Sequence, residues 1–451
     1  MTESPMASSV SRQAMLVLAL VVGFVARAEA QNNGNNGNNG NVGGIRIDAA
    51  GIVSTIAGPP EAAALVRKRQ QAFLKENLPE GLAVPSELRR VSLRQLDREM
   101  SAAAQAGREL PLEQRCLAGI TRIDYIVADR EAGDLAIVGP AEGFAPDSQG
   151  RMRGTASGRP VFLLEDLLVA WRTVYGGTTV VTCSIDPTQE GLAAYNAFVS
   201  QPQSVTPNQV GQLFDTMAMK LGTQTVQVTG VPGDSHWAMV LVEADLRMKR
   251  IALGKDPSRV RGVTSQLSMT RAGDNSYSRW WFMPLYEPLD TDADRSVFHL
   301  TGQRLQLLAQ DEFTNLQGER STAPTNKLAT DKFARQFTDH VPELAAAHPA
   351  FAELQNLFDL LVTCTLIRRL QLDQSVGWQP EMLGDAARWS TPTYPVPTGV
   401  ESVAATNRVG RTIVGLTGGV ELNADAVISN TTQRIQAPKL PASKSGQVWA
   451  D

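Results

Sequence analysis

Between Pro232 and Lys255 the chain reads PGDSHWAMVLVEADLRMKRIALGK, a stretch that specifies both ends of a helix and the face it buries. Trp237, Val240, Leu241, Ala244, Met248, Ile251 and Ala252 recur at three- and four-residue intervals and share one side, which predicts a helix laid against a core. Glu243, Asp245, Arg247, Lys249 and Arg250 fall mostly on the other side and are expected in solvent. Asp234 or Ser235 can accept hydrogen bonds from the unpaired N–H groups of the first turn, and Gly254 can take the left-handed conformation that ends the last. Caps and dipole terms are worth about 0.3 to 1 kcal/mol each. The buried face dominates, at roughly 1.5 to 3 kcal/mol for each large apolar side chain removed from water.

The rest of the 451-residue chain is read around this helix. Ala14 to Ala26, preceded by Arg12 and followed by the small-x-small pattern Ala28-Glu29-Ala30, reads as the apolar core and cleavage site of a signal peptide over residues 1–30. Arg27 cuts the run short of the roughly 20 apolar residues a spanning helix needs, so no transmembrane span is expected after cleavage. Residues 31–44, QNNGNNGNNGNVGG, form an Asn/Gly-rich flexible spacer with almost nothing to bury. An α+β body is expected over 45–310, a helical segment returning to terminal strands over 311–430, and a polar, fraying tail over 431–451.

Two similar segments stand near the ends of the body, GGIRIDAAGIVS from Gly43 and GGVELNADAVIS from Gly418. Each reads as strand, Asx-type turn, strand. Either the two ends meet in one sheet, which leaves no backbone group unpaired, or each forms its own hairpin. Between them helices are expected over Glu61–Leu78, Ser92–Ala106, Glu165–Tyr175 and Thr206–Leu221, and later over Lys332–His340 and Ala350–Leu372. Strands are expected over Pro160–Leu164, Thr178–Ser184 and Thr223–Thr229, with hairpins turning at Arg130–Gly133 and at Thr301-Gly302. Asp186-Pro187-Thr188-Gln189 carries a cap, a first-turn proline and a returning glutamine for one more helix. Helices mixed with antiparallel hairpins around a long central amphipathic helix favour α+β over a repeating βαβ fold.

Function classes are narrowed mostly by exclusion. Hydrophobic residues at 43% and charged residues at 20% describe a globular chain, and a net charge of −4 gives no electrostatic reason to bind nucleic acid. No P-loop or G-x-G-x-x-G is present, so no nucleotide cofactor is expected. His236, His299, His340 and His348 show no metal-ligand spacing. Asp234-Ser235-His236 holds the residue types of a hydrolase triad, but neighbours on a helix point about 100° apart and cannot form a nucleophile–base–orienter chain. Glu142, Glu165 and Asp166 are scattered acids near a strand end, read as solvated. Of Cys116, Cys183 and Cys364, the first two could bridge after export, while Cys364 lies in an apolar helix as a buried thiol. No catalytic residue, cofactor or metal is assigned.

The binding candidates are Arg279, Trp280 and Trp281. Strand alternation puts Trp280 and Phe282 on one face and Arg279 and Trp281 on the other, so either both faces pack into the core, the leading expectation, or one tryptophan is core and the other, beside arginine, faces a sugar or peptide.

The ordered set GPAEGF at Gly139, GRPVFLLEDLLVAWR at Gly158, CSIDPTQEGL at Cys183, HWAMVLVEADLRMKRIALG at His236, RWWFMP at Arg279 and AFAELQNLFDL at Ala350 resembles an uncharacterised secreted family, a domain of unknown function, typical of planctomycete bacteria. The resemblance implies an exported bacterial protein, periplasmic or extracellular, without implying a reaction. The expectation is a non-enzymatic envelope or extracytoplasmic binding and scaffolding protein whose partner is a protein or envelope component. The alternative is an exported hydrolase whose groups meet only in three dimensions.

Overall fold

The computed structural model describes residues 60–201, 210–271, 277–405 and 415–451, with the strands Ala19–Gly23, Ile45–Ile47 and Val53–Thr55. The spacer over 31–44 lies outside the described residues.

Helices and mixed sheets confirm the α+β class. The larger sheet is built around Val180–Pro187, which pairs antiparallel with Thr223–Thr229 on one side and Gly415–Asn423 on the other. Gly415–Asn423 then runs parallel to Tyr277–Leu285, which pairs antiparallel with Arg304–Thr314. Gly399–Ala405 extends the sheet beside Thr223–Thr229, and Ala19–Gly23, within the expected signal peptide, lies along its outer edge. The smaller sheet centres on the hairpin Tyr125–Asp129 and Asp134–Ala141, turning through Arg130–Gly133 as expected. Ser86–Ser92 and Val297–His299 flank it.

The predicted helix is found at His236–Ala252. Ser235 caps it by accepting from the Ala238 N–H, and Gly254 follows in the left-handed region at φ 65°. All seven residues of the predicted apolar face are buried. The polar side differs from expectation, because Asp245 and Lys249 are also buried. The helix is covered on a second side by the large sheet, so Lys249 Nζ donates to Asp245 at 2.8 Å and to the Ile185 carbonyl at 3.1 Å. An i, i+4 pair that would be decoration on a surface helix is here an internal ion pair.

Beside it runs Pro349–Arg369, buried along its whole length from Ala350 to Ile367. Among the described residues it is the one helix long and apolar enough to cross a membrane, but its apolar window is 100% buried inside the fold. A helix apolar on all sides is a core element when other helices surround it. It packs on Leu164–Tyr175 and His236–Ala252. Within it Asp359 accepts from Tyr286 Oη at 2.7 Å and Arg304 Nε at 3.2 Å, while the Thr363 and Thr365 hydroxyls have no partner among the described residues.

Several local expectations are corrected. Of the two arrangements expected for the similar segments the hairpin is found: Ile45–Ile47 pairs with Val53–Thr55, and among the described residues it does not join the sheet that holds Gly415–Asn423. In the second copy the strand is followed by a helix, Ala424–Ile428, because the Asn423 side chain accepts from the Ala426 N–H and so caps a helix in place of closing a turn. Its Gly419 is required by strand proximity, since a Cβ there would lie 1.9 Å from the Cys183 carbonyl oxygen. Pro160–Leu164 forms only an isolated bridge, from Pro160 to Arg153. Val297–His299 and Arg304–Thr314 belong to different sheets, so Thr301-Gly302 is a crossing and not a hairpin. Pro187 ends a strand, and Thr188 caps the helix Gln189–Val199. The tail does not fray at its end: Trp449–Ala450 pairs with Arg90 and Val91, and Asp451 takes two hydrogen bonds from the buried Arg89 at 2.8 and 3.0 Å. All three cysteines are buried and free, so Cys116 and Cys183 are not bridged.

Candidate functional site

The first turns of two helices converge on a cavity of about 930 Å³. His236 opens one helix, directly after its cap. Asp166 sits in the first turn of the other, Leu164–Tyr175. His236 Nδ1 lies 3.0 Å from both carboxylate oxygens of Asp166, a geometry in which Nδ1 carries the proton and donates. Trp237 Nε1 donates to the Asp166 carbonyl at 3.0 Å, which fixes the backbone that presents the carboxylate. His236 lines the cavity, and its Nε2 has no hydrogen-bond partner among the described residues.

Ser235 takes no part in this pair. Its hydroxyl donates to the Pro232 carbonyl at 2.7 Å while accepting from the Ala238 N–H, so it is a cap, as the helix geometry predicts. The carboxylate that orients His236 is therefore not the adjacent Asp234 but one 70 residues earlier in the chain.

Of the three further carboxylates on the same lining, Glu109 is exposed, while Glu165 and Glu353 are drawn into the fold. Glu165 accepts from Tyr394 Oη at 2.6 Å, and the Tyr394 ring lies 5.3 Å from the imidazole. Tyr394 is carried in by an irregular segment tied down where its N–H donates to the Asp234 carbonyl at 2.7 Å. Glu353, in the helix Pro349–Arg369, accepts from Arg151 Nη1 at 2.7 Å, and Arg151 also bonds Glu243.

Burial and charge split the protonation behaviour of this cluster. Burial alone would lower the His236 pKa, but the Asp166 charge and hydrogen bond overcome it and raise the value to about 9. Burial pushes Glu353 up to about 7 despite the opposing Arg151 charge. It pushes Glu165 up as well, against the hydrogen bond from Tyr394. At neutral pH the cavity therefore holds a protonated imidazole and a carboxyl group poised between its two forms. Divergent values in one enclosed space are what acid–base chemistry requires. The Cys116 thiol, also on the lining, is pushed by burial to about 12 and is no thiolate nucleophile. Among the described residues no cluster of His, Cys, Asp and Glu is placed to hold a metal ion.

The residues singled out in the sequence divide between core and surface. Trp280 is fully buried, edge-on to Phe333 at 5.3 Å. Trp281 is half-buried on the outer sheet face with the Arg279 guanidinium 5.5 Å from its ring centre, and neither lines the cavity. The alternation holds, but one of the three binding candidates is core. Glu142 braces a turn, accepting from the N–H groups of Ala156 and Ser157. Glu165 and Asp166, read as solvated, are the two that reach the cavity. Their signal was an acidic pair at the head of an apolar helix, which gives no indication of a histidine across the fold.

No curated protein and no solved structure matches the chain. Residues 183–266, a span that contains His236 and its helix but neither Asp166 nor Glu353, match a family described as a protein of unknown function, DUF1598.

Proposed function

We propose that the protein is exported and that it works as an enzyme at the cavity where His236 meets Asp166, performing proton transfer on a small polar substrate in a hydrolytic reaction. The observation that carries this reading is the imidazole held through Nδ1 by a buried carboxylate with Nε2 unpartnered on the cavity wall. His236, protonated at neutral pH, supplies a proton or a hydrogen bond to developing negative charge. Glu353, near 7, accepts the proton of the attacking group. No serine, threonine or cysteine is hydrogen-bonded to His236 among the described residues, so the attacking group is water. Export rests on the apolar segment Ala14–Ala26 and the pattern ending at Ala30.

The same lack of a neighbouring side-chain nucleophile favours a second reading, a binding protein that holds its ligand in this cavity without turnover. Chromogenic nitrophenyl esters, phosphates and glycosides separate the two. The enzyme reading expects turnover of one class, falling by about 10²- to 10⁴-fold in His236→Gln with circular dichroism unchanged. Its rate should rise with pH through about 7 as Glu353 ionises and fall through about 9 as His236 loses its proton. Turnover of no class, or equal turnover in His236→Gln, overturns it.

A further inference from the structure

The charged groups of the cavity are not distributed evenly, and the asymmetry bears on what enters it. Toward the interior each carboxylate already faces a donor: Asp166 faces His236, Glu165 faces Tyr394, and Glu353 faces Arg151. The exposed lining residues include three arginines from separate segments, Arg108, Arg115 and Arg388. Arg388 forms no ion pair among the described residues. Arg108 lies 3.6 Å from Glu99 and Arg115 lies 3.7 Å from Glu109, beyond normal hydrogen-bond length, and Glu109 is itself 86% exposed. Such loose pairs are screened by solvent and easily exchanged for another anion. On the exposed lining the three guanidinium groups thus outnumber the single carboxylate, Glu109, and His236 Nε2 adds a polar group without a partner among the described residues. Leu163 adds to this, for it offers no side-chain cap to the helix Leu164–Tyr175, whose first turn faces the same space.

We infer that the occupant is a small soluble molecule bearing an oxyanion, a carboxylate, phosphate or sulfate, held at the rim by Arg108, Arg115 and Arg388 while its uncharged part reaches His236. This assignment rests on the cavity being the working site, and it names the substrate class. Guanidinium groups suit oxyanions because their planar N–H pairs match the oxygen geometry. An arginine rim also draws anions toward the mouth, an effect that weakens with salt.

Titration calorimetry with inorganic phosphate, sulfate, D-glucuronate and neutral D-glucose tests the inference on the full mature chain. The variant is Arg108→Gln/Arg115→Gln/Arg388→Gln, whose three positions are exposed and outside the core. The expected result is binding of at least one anion at a single site, weakened by about tenfold or more in the triple variant and by added sodium chloride, with no binding of glucose. Failure of every anion to bind, equal affinity in the triple variant, or glucose binding as tightly as glucuronate overturns it. Turnover of a neutral chromogenic substrate that depends on His236 but is unaffected by all three anions would overturn the oxyanion assignment and leave the catalytic reading standing.

Discussion

Replacing Asp166 with Asn tests the central element of the site, because it keeps the shape of the side chain and removes the charge that holds His236 protonated. In the wild type the imidazole rises from its ordinary 6.5 to about 9. At roughly 1.4 kcal/mol per tenfold change, a rise of that size corresponds to about 3 kcal/mol of folding stability. The sign follows from the direction of the shift. A histidine whose folded pKa lies above its unfolded value contributes stability that is complete below 6.5 and lost as pH rises through about 9. In Asp166→Asn the burial of His236 is opposed only by the Glu353 and Glu165 charges, and its pKa should fall well below 9. Imidazole proton and nitrogen resonances give the titration directly, and urea unfolding at pH 6 and pH 10 gives the free energy. Asp166→Asn should cost about 3 kcal/mol at pH 6 and clearly less at pH 10, which separates a charge effect from lost packing. A wild-type His236 that titrates at or below 6.5, or a cost that is the same at both pH values, refutes the reasoning.

Two other predictions concern the helix that carries His236. Asp245→Ala should cost about 3 to 5 kcal/mol by urea unfolding, because it leaves the Lys249 ammonium buried beside the Ile185 carbonyl with no opposing charge. The double variant Asp245→Leu/Lys249→Met should recover most of that loss, and a double variant as unstable as the single one contradicts the pairing. Trp237→Ala, which removes a fully buried indole, should cost about 3 to 5 kcal/mol, whereas Ser235→Ala should cost only about 0.5 to 2 kcal/mol by loss of a cap. Equal costs at the two positions would show that the cap and the core face had been misjudged.

The sequence by itself determined those features whose causes lie within a few residues. The helix His236–Ala252, its Ser235 cap and its left-handed Gly254 follow from spacing and end chemistry, and so does the alternation that buries Trp280 and Phe282 while turning Arg279 outward. The same local geometry rightly disqualified Ser235 as a nucleophile. What only the tertiary structure decided was which polar residues meet. Asp245 and Lys249 look solvated until the large sheet covers their side of the helix. Thr301-Gly302 looks like a hairpin turn until its flanking strands join different sheets. His236 looks like a bystander next to Asp234 until the packing of two helix heads brings Asp166 to its Nδ1. Helix and strand periodicities encode which face of an element is apolar, and a hydrophobic face specifies burial without naming its partner. The partner of a buried charge is specified only when elements distant in the chain are packed, and for that reason a site assembled from Asp166, His236, Glu353 and Tyr394 left no pattern in the sequence.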